Sequence, residues 1–211
     1  MLEADCTQPS FEAFREELDG AIAGILEINS ELASNLYAHF RLLLSWNRVV
    51  NLTSVTHLRE AVRTHYCESL FLAARLPAGS LDILDVGSGA GFPGIPIAAA
   101  RPDCRVVLAE RRRRKAAFLK EATRGWPNVH VFAGDAEELS QEFDWVVSRA
   151  VRPEAVVELA ARKAGWVGLL TSSDGAERVA NRPDFRWQAP VVLPWGQRRV
   201  LLFGQALATG W

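Results

Sequence analysis

The chain has 211 residues, 49% of them hydrophobic and 23% charged, the balance of a globular protein with room for one substantial core. No apolar run approaches the roughly 20 residues that a membrane helix needs. Three widely spaced cysteines (Cys6, Cys67, Cys104), none in a C-x-x-C, argue against a disulfide framework or a cysteine-built metal site. The opening Met1-Leu2-Glu3-Ala4-Asp5-Cys6 is acidic and polar, unlike a signal peptide, so a cytoplasmic location is expected. The net charge of −1 divides unevenly. Residues 1–35 hold eight acids against one base, and the remaining 176 residues hold 23 bases against 17 acids, so a body of net +6 can meet a polyanion on one face.

In chain order, Phe11, Phe14, Leu18, Ile22, Ile25 and Leu26 recur at three- and four-residue steps and predict an amphipathic helix. Leu32, Leu36, Phe40, Leu43 and Leu44 predict a second. A third is expected over Leu58–Leu76, before Pro77-Ala78-Gly79-Ser80 breaks the chain. Residues 1–76 thus read as an N-terminal helical extension and 77–211 as a separate α/β domain. In the latter, short apolar runs at Asp82–Val86, Arg105–Ala109, Val129–Phe132, Trp145–Val147 and Val167–Leu170 alternate with helices near 93–101, 112–124 and 153–164. That alternation predicts a doubly wound, mostly parallel sheet. Val191–Leu193 and Arg199–Phe203, joined by only Pro194-Trp195-Gly196-Gln197-Arg198, read as an antiparallel hairpin at one edge, making seven strands.

The sharpest signal is Leu84-Asp85-Val86-Gly87-Ser88-Gly89-Ala90-Gly91-Phe92-Pro93-Gly94, a strand feeding a glycine-rich turn that opens a helix. A dinucleotide fingerprint, G-x-G-x-x-G, needs glycine at its sixth position. Phe92 stands there, and the glycines fall at 87, 89 and 91, the G-x-G-x-G spacing of class I methyltransferases. Glu110 ends the second strand, 19 residues after Gly91, where an acid can accept from ribose hydroxyls.

Gly134-Asp135-Ala136-Glu137-Glu138 follows the third strand and reads either as a loop over an adenine or as an acidic cap on the next turn. Ser148-Arg149-Ala150 ends the fourth strand, at the carboxyl edge where open α/β sheets take ligands. Arg111-Arg112-Arg113-Arg114-Lys115 is either an RNA-binding patch or a solvated helix face. Trp46 and Trp195 are stacking candidates for a splayed-out base, or core residues. Among the histidines only His65 stands in a motif; no acid–base dyad and no metal site are expected.

Together these residues resemble the bacterial 16S rRNA guanine-N7 methyltransferase family known as RsmG or GidB. Trp46-Asn47 with Asn51-Leu52-Thr53-Ser54 is similar to its W-N-x-x-x-N-L-T, and His65-x-x-Glu68-Ser69 to its H-x-x-D-S. Asp85 to Pro96 follows D-V-G-[ST]-G-x-G-[LF]-P-G-I-P, whose P-G-I-P tail generic methyltransferases lack. Arg114-Lys115 with Phe118-Leu119 resembles K-R-x-x-F-L, and Phe143-Asp144 leading to Ser148-Arg149-Ala150 resembles F-D-x-x-x-S-R-A. The likeness spans about residues 36–204.

The resemblance implies a class I, Rossmann-like S-adenosylmethionine-dependent methyltransferase acting on N7 of guanine 527 of 16S rRNA. It implies a small-subunit RNA partner and a monomer in the cytoplasm. It implies cofactor contacts at Gly87, Gly89, Gly91, Phe92, Ala136, Glu137 and Arg149, Glu110 on the ribose, and substrate positioning by His65 and Arg149. Two basic residues of the family pattern are missing: Asp135 replaces one, and Leu170-Thr171-Ser172-Ser173-Asp174-Gly175 has no counterpart of a lysine. Two alternatives stay open, a non-catalytic S-adenosylmethionine-binding ribosome-assembly factor and an NAD-dependent oxidoreductase.

Overall fold

The computed structural model describes residues 8–207; Cys6 and the rest of the opening segment read above lie outside them. Helix α1 (Phe11–Ile22) starts at Ser10, whose Oγ accepts from the Ala13 N–H at 3.2 Å, and buries Phe14, Leu18 and Ile22. It ends before Ile25 and Leu26, because the chain turns through Gly24 at φ +75°. Asn29 caps α2 (Ser30–Asn47) in the same way, its Oδ1 accepting from Leu32 N at 2.8 Å. The third helix is continuous in space but changes pitch. α3 (Leu58–Ala61) widens into a π-helical stretch, Val62–Cys67, before α4 (Glu68–Ala73). Such π turns are rare and concentrate at functional sites; this one buries His65, Tyr66 and Cys67.

Eight strands form one sheet: β1 (Asp82–Val86), β2 (Arg105–Ala109), β3 (Val129–Phe132), β4 (Phe143–Arg149), β5 (Ala164–Ser172), β6 (Phe185–Trp187), β7 (Val191–Val192) and β8 (Arg199–Ala206). The order across it is β3-β2-β1-β4-β5-β8-β6, parallel through β5 and antiparallel beyond. The expected hairpin exists, with β7 pairing to β8. It is not simply an edge, however, since β8 lies between β5 and the short β6, and β6 and β7 share its outer side. Seven positions across therefore hold eight strands.

Helices α5 (Gly94–Ala100) and α6 (Arg113–Ala122) cover one face, and α7 (Pro153–Lys163) and α8 (Ser173–Val179) the other. Both faces are buried, so the strands read as unbroken apolar runs. Within β2, Val106 and Leu108 join the first core while Val107 and Ala109 join the second. The first core also contains Phe14, Leu36, Phe40, Tyr66 and Leu70, so the N-terminal helices and the sheet share one hydrophobic cluster. No helix among the described residues is long and apolar enough to cross a membrane.

Candidate active site

The strand order reverses between β1 and β4, and at the carboxyl ends of these strands such sheets open a crevice. A cleft of about 780 Å³ lies there, within the ~300–1,000 Å³ usual for ligand sites. Its floor is the glycine loop. Gly87, Gly89 and Gly91 have φ of +68°, +59° and +92°, a region that side chains with a Cβ avoid. The N–H groups of Gly87 and Ser88 both donate to Ala109 O, at 3.0 and 3.1 Å, which ties the loop to the end of β2. The Gly89 N–H donates to Glu110 Oε2 at 3.0 Å, and the Arg112 N–H to Glu110 Oε1 at 2.7 Å. A carboxylate offers roughly four lone-pair sites, so Glu110, buried yet lining the cleft, keeps accepting capacity for a ligand.

Beneath the loop, Asp85 is fully buried; its Oδ2 accepts from Gly94 N–H at 3.0 Å and its Oδ1 has no partner. Burial pushes its carboxyl up to about 7, against the lowering effect of that N–H. His65 packs against Phe92, with ring planes tilted by 34° and centroids 4.7 Å apart, and its Nε2 lies 3.0 Å from Thr53 Oγ1. Burial, and then the Arg149 charge, drive its pKa down to about 3, so the ring is neutral at physiological pH. Arg149 Nε donates to Glu68 Oε2 at 3.3 Å, and Arg199 Nη2 donates to the same oxygen at 2.8 Å. Glu68, only 1% exposed, thus holds two guanidinium groups from different strands.

The cleft brings together Gly87, Gly89, Phe92, Glu110, Ala136, Glu137, Arg149 and His65 from the residues singled out in the sequence, with Arg111, Arg112 and Lys115 at its rim. Gly91 lies behind the loop and is buried, and Arg113 and Arg114 are exposed outside the lining. Asp135 has a structural duty. It caps the 3₁₀ turn Ala136–Glu138, with its carboxylate accepting from Glu137 N–H and its own N–H donating to Glu138. Neither tryptophan lines the cleft. Trp46 packs edge-on against Phe118, while Trp195 donates to Ala21 O and packs against Phe71, so both are framework residues. Leu52, Thr53 and Val151 also form the walls, and no chemical signal in their own side chains marks them. Among the described residues no group of three or more His, Cys, Asp or Glu is placed to hold a metal ion.

The family model described as GidB, rRNA small subunit methyltransferase G, matches residues 32–169. The chain belongs to that family. A GidB-family relative named ribosomal RNA small subunit methyltransferase G, from Methylobacillus flagellatus, is 41% identical over 129 residues, covering 59% of this chain and 62% of the relative. The like-named protein of Nitrosomonas europaea is 39% identical, covering 64% and 65%. The chain therefore spans slightly under two thirds of these two relatives in the aligned stretch. Ribosomal RNA small subunit methyltransferase G 1 of Syntrophobacter fumaroxidans aligns further, at 35% identity over 86% of this chain and 87% of that one. Among solved structures, a SAM-dependent methyltransferase from Aquifex aeolicus superimposes with a TM-score of 0.59 at 11% identity, over 78% of this chain and 98% of that one. That likeness establishes the Rossmann-like methyltransferase fold.

Proposed function

We propose that this protein transfers a methyl group from S-adenosylmethionine to N7 of a guanine in 16S rRNA, at position 527. The observation that carries the reading is the glycine loop and Glu110 opening onto a cleft with Arg111, Arg112 and Lys115 at its rim and Arg113 and Arg114 exposed just beyond. Arg111 to Lys115 sit at or just before the N-terminus of α6. Cations there oppose the helix dipole, at about 0.3–1 kcal/mol each. None of the five forms an ion pair within the described residues. Fold stability gives no reason for such a run; a polyanionic partner does.

The residues present fit the donor. Gly87 and Gly89, at positive φ, present bare backbone to the cleft, and Glu110 retains accepting capacity for ribose hydroxyls. Ala136 and Glu137 line the side where an adenine would lie. Bound S-adenosylmethionine supplies an electrophilic methyl on sulfur. Guanine N7 has a lone pair and no proton, so the chain needs no general base, and a neutral His65 bonded to Thr53 accords with that. Its task is alignment and exclusion of water, an effect worth about 7–11 kcal/mol when complete. Arg149, fixed by Glu68, offers positive charge to the donor's carboxylate or to an RNA phosphate. A cytoplasmic, monomeric protein is part of the same reading.

The test is calorimetric titration with S-adenosylmethionine and, separately, NAD, for the wild type and Gly87→Asp, where even a Cβ would lie 2.7 Å from Val151 Cγ2. Methyl transfer to small-subunit RNA is then mapped by chain scission selective for 7-methylguanine. Micromolar donor binding lost in the variant, with scission at one guanine, is expected. Binding of NAD alone, or of neither ligand, removes the reading. Donor and RNA binding without methylation would instead identify a non-catalytic assembly factor.

A further inference from the structure

His39 stands on α2, outside every motif of the sequence, and is buried against the underside of the glycine loop. Its Nε2 lies 2.9 Å from Ala90 O and its Nδ1 2.8 Å from the Tyr66 hydroxyl. A carbonyl only accepts, so Nε2 carries the proton and donates; Nδ1 then accepts, and the Tyr66 O–H donates to it. The hydroxyl thereby fixes the tautomer that grips the loop. Protonation would remove the acceptor facing Tyr66, and burial holds the ring's pKa down to about 4, so the grip persists at neutral pH.

The gripped peptide matters. The Ala90–Gly91 unit is held at both ends, its oxygen by His39 and its N–H by Ser88 O at 2.7 Å. From Gly87 to Phe92, every backbone N–H has a partner among the described residues except that of Ala90, and Ala90 lines the cleft. Gly91 packs closely there: an added Cβ would lie 2.4 Å from Ile95 Cδ1 and 3.3 Å from His39 Nε2. Phe92, the next cleft residue, is packed edge-on by both partners, His39 at 5.3 Å and Tyr66 at 5.1 Å between centroids. One buried pair thus sets the carbonyl, the free amide and the aromatic side chain of the loop.

We propose that His39, locked by Tyr66, is a positioning residue that holds the glycine loop in its donor-binding shape from the N-terminal helical layer. Through it, α2 becomes part of the cofactor site although none of its residues lines the cleft. The inference rests on the methyl donor lying on this loop.

The test compares His39→Leu, His39→Gln and Tyr66→Phe with the wild type for donor affinity, KM for donor, kcat at saturating donor, and melting temperature. Leucine fills the space but leaves the Ala90 carbonyl without a donor; the glutamine amide can donate to it. Expected are a rise of about tenfold in Kd and KM for His39→Leu, kcat changed less than about threefold, and affinity restored to near wild type in His39→Gln. Tyr66→Phe should fall between, because the tautomer is no longer fixed. Equal loss in the leucine and glutamine variants, or affinity tracking melting temperature alone, overturns the proposal. Should His39→Leu not fold, wild-type affinity in Tyr66→Phe overturns it as well. A wild type that fails to bind the donor would instead refute the functional reading on which this stands.

Discussion

The glycines around the loop do different work, and the distances to their neighbours separate them. An alanine at Gly89 keeps its φ of +59°, and its Cβ meets nothing nearer than Gly87 O at 3.7 Å. Only the left-handed backbone is penalised, by about 1–2 kcal/mol, part of which the stiffer unfolded chain returns. Gly94 has an ordinary helical backbone, yet a Cβ there would lie 2.3 Å from Leu108 Cδ2 and 2.7 Å from Asp85 Oδ2. It would force α5 off the sheet and disturb the N–H that Asp85 accepts. Overpacking of this kind costs about 1–3 kcal/mol, and the lost hydrogen bond adds to it, against ~1 kcal/mol gained in helix propensity. Urea denaturation should therefore find Gly89→Ala about 1 kcal/mol less stable than wild type and Gly94→Ala about 3. The reverse order would mean that backbone strain, not packing on β1 and β2, governs the loop.

At the scale of elements, the W-N-x-x-x-N-L-T segment explains itself once Asn47 is followed. Its Oδ1 accepts from Leu52 N–H at 2.7 Å and Thr53 N–H at 2.9 Å, and its Nδ2 donates to Thr53 O at 2.8 Å. One side chain at the end of α2 closes the loop that carries Leu52 and Thr53 to the cleft wall. Asn47→Ala deletes three hydrogen bonds, together worth about 2–4 kcal/mol. It should lower methyl transfer more than donor binding, since Thr53 and His65 move while the glycine loop does not. Activity and calorimetry on the same preparation check this, and an equal loss of both would assign the loop to the cofactor instead. Such contacts also show what the sequence could and could not reveal. The bounds of β1, β2 and β3 were legible because apolar runs stop at polar or glycine-bearing turns. α8 was not: Gly175 in its first turn reads as a breaker, although it is needed where a Cβ would lie 2.2 Å from Thr171 Oγ1. Three-residue β6 is too short to carry a period. In the site, the glycines and Glu110 announce themselves because their spacing is local. His39 meets Ala90 across 51 positions and Glu68 meets Arg199 across 131, and nothing in either neighbourhood marks the pairing.

For the whole molecule, three buried groups at the site oppose each other in pH dependence. His39 and His65, with native pKa values of about 4 and about 3, stay neutral where the unfolded chain's histidines charge near 6.5. Their contribution is full above 6.5 and is lost as pH falls towards the native values. Asp85 works the other way. Its native value of about 7 exceeds the unfolded ~3.9, so its contribution is full below 3.9 and is lost as pH rises through 7. Between pH 5 and 6 the unfolded state thus holds about two extra protons on the histidines and the native state about one on Asp85. The net slope from these groups is about one proton, on the order of 1 kcal/mol per pH unit, with stability rising with pH. Asp85→Asn removes the opposing proton and should roughly double that slope, whereas His65→Gln should nearly abolish it. Urea midpoints measured at half-unit steps from pH 5 to 6.5 decide the matter. An unchanged slope in Asp85→Asn would mean that the carboxyl beneath the glycine loop is already ionised at pH 5.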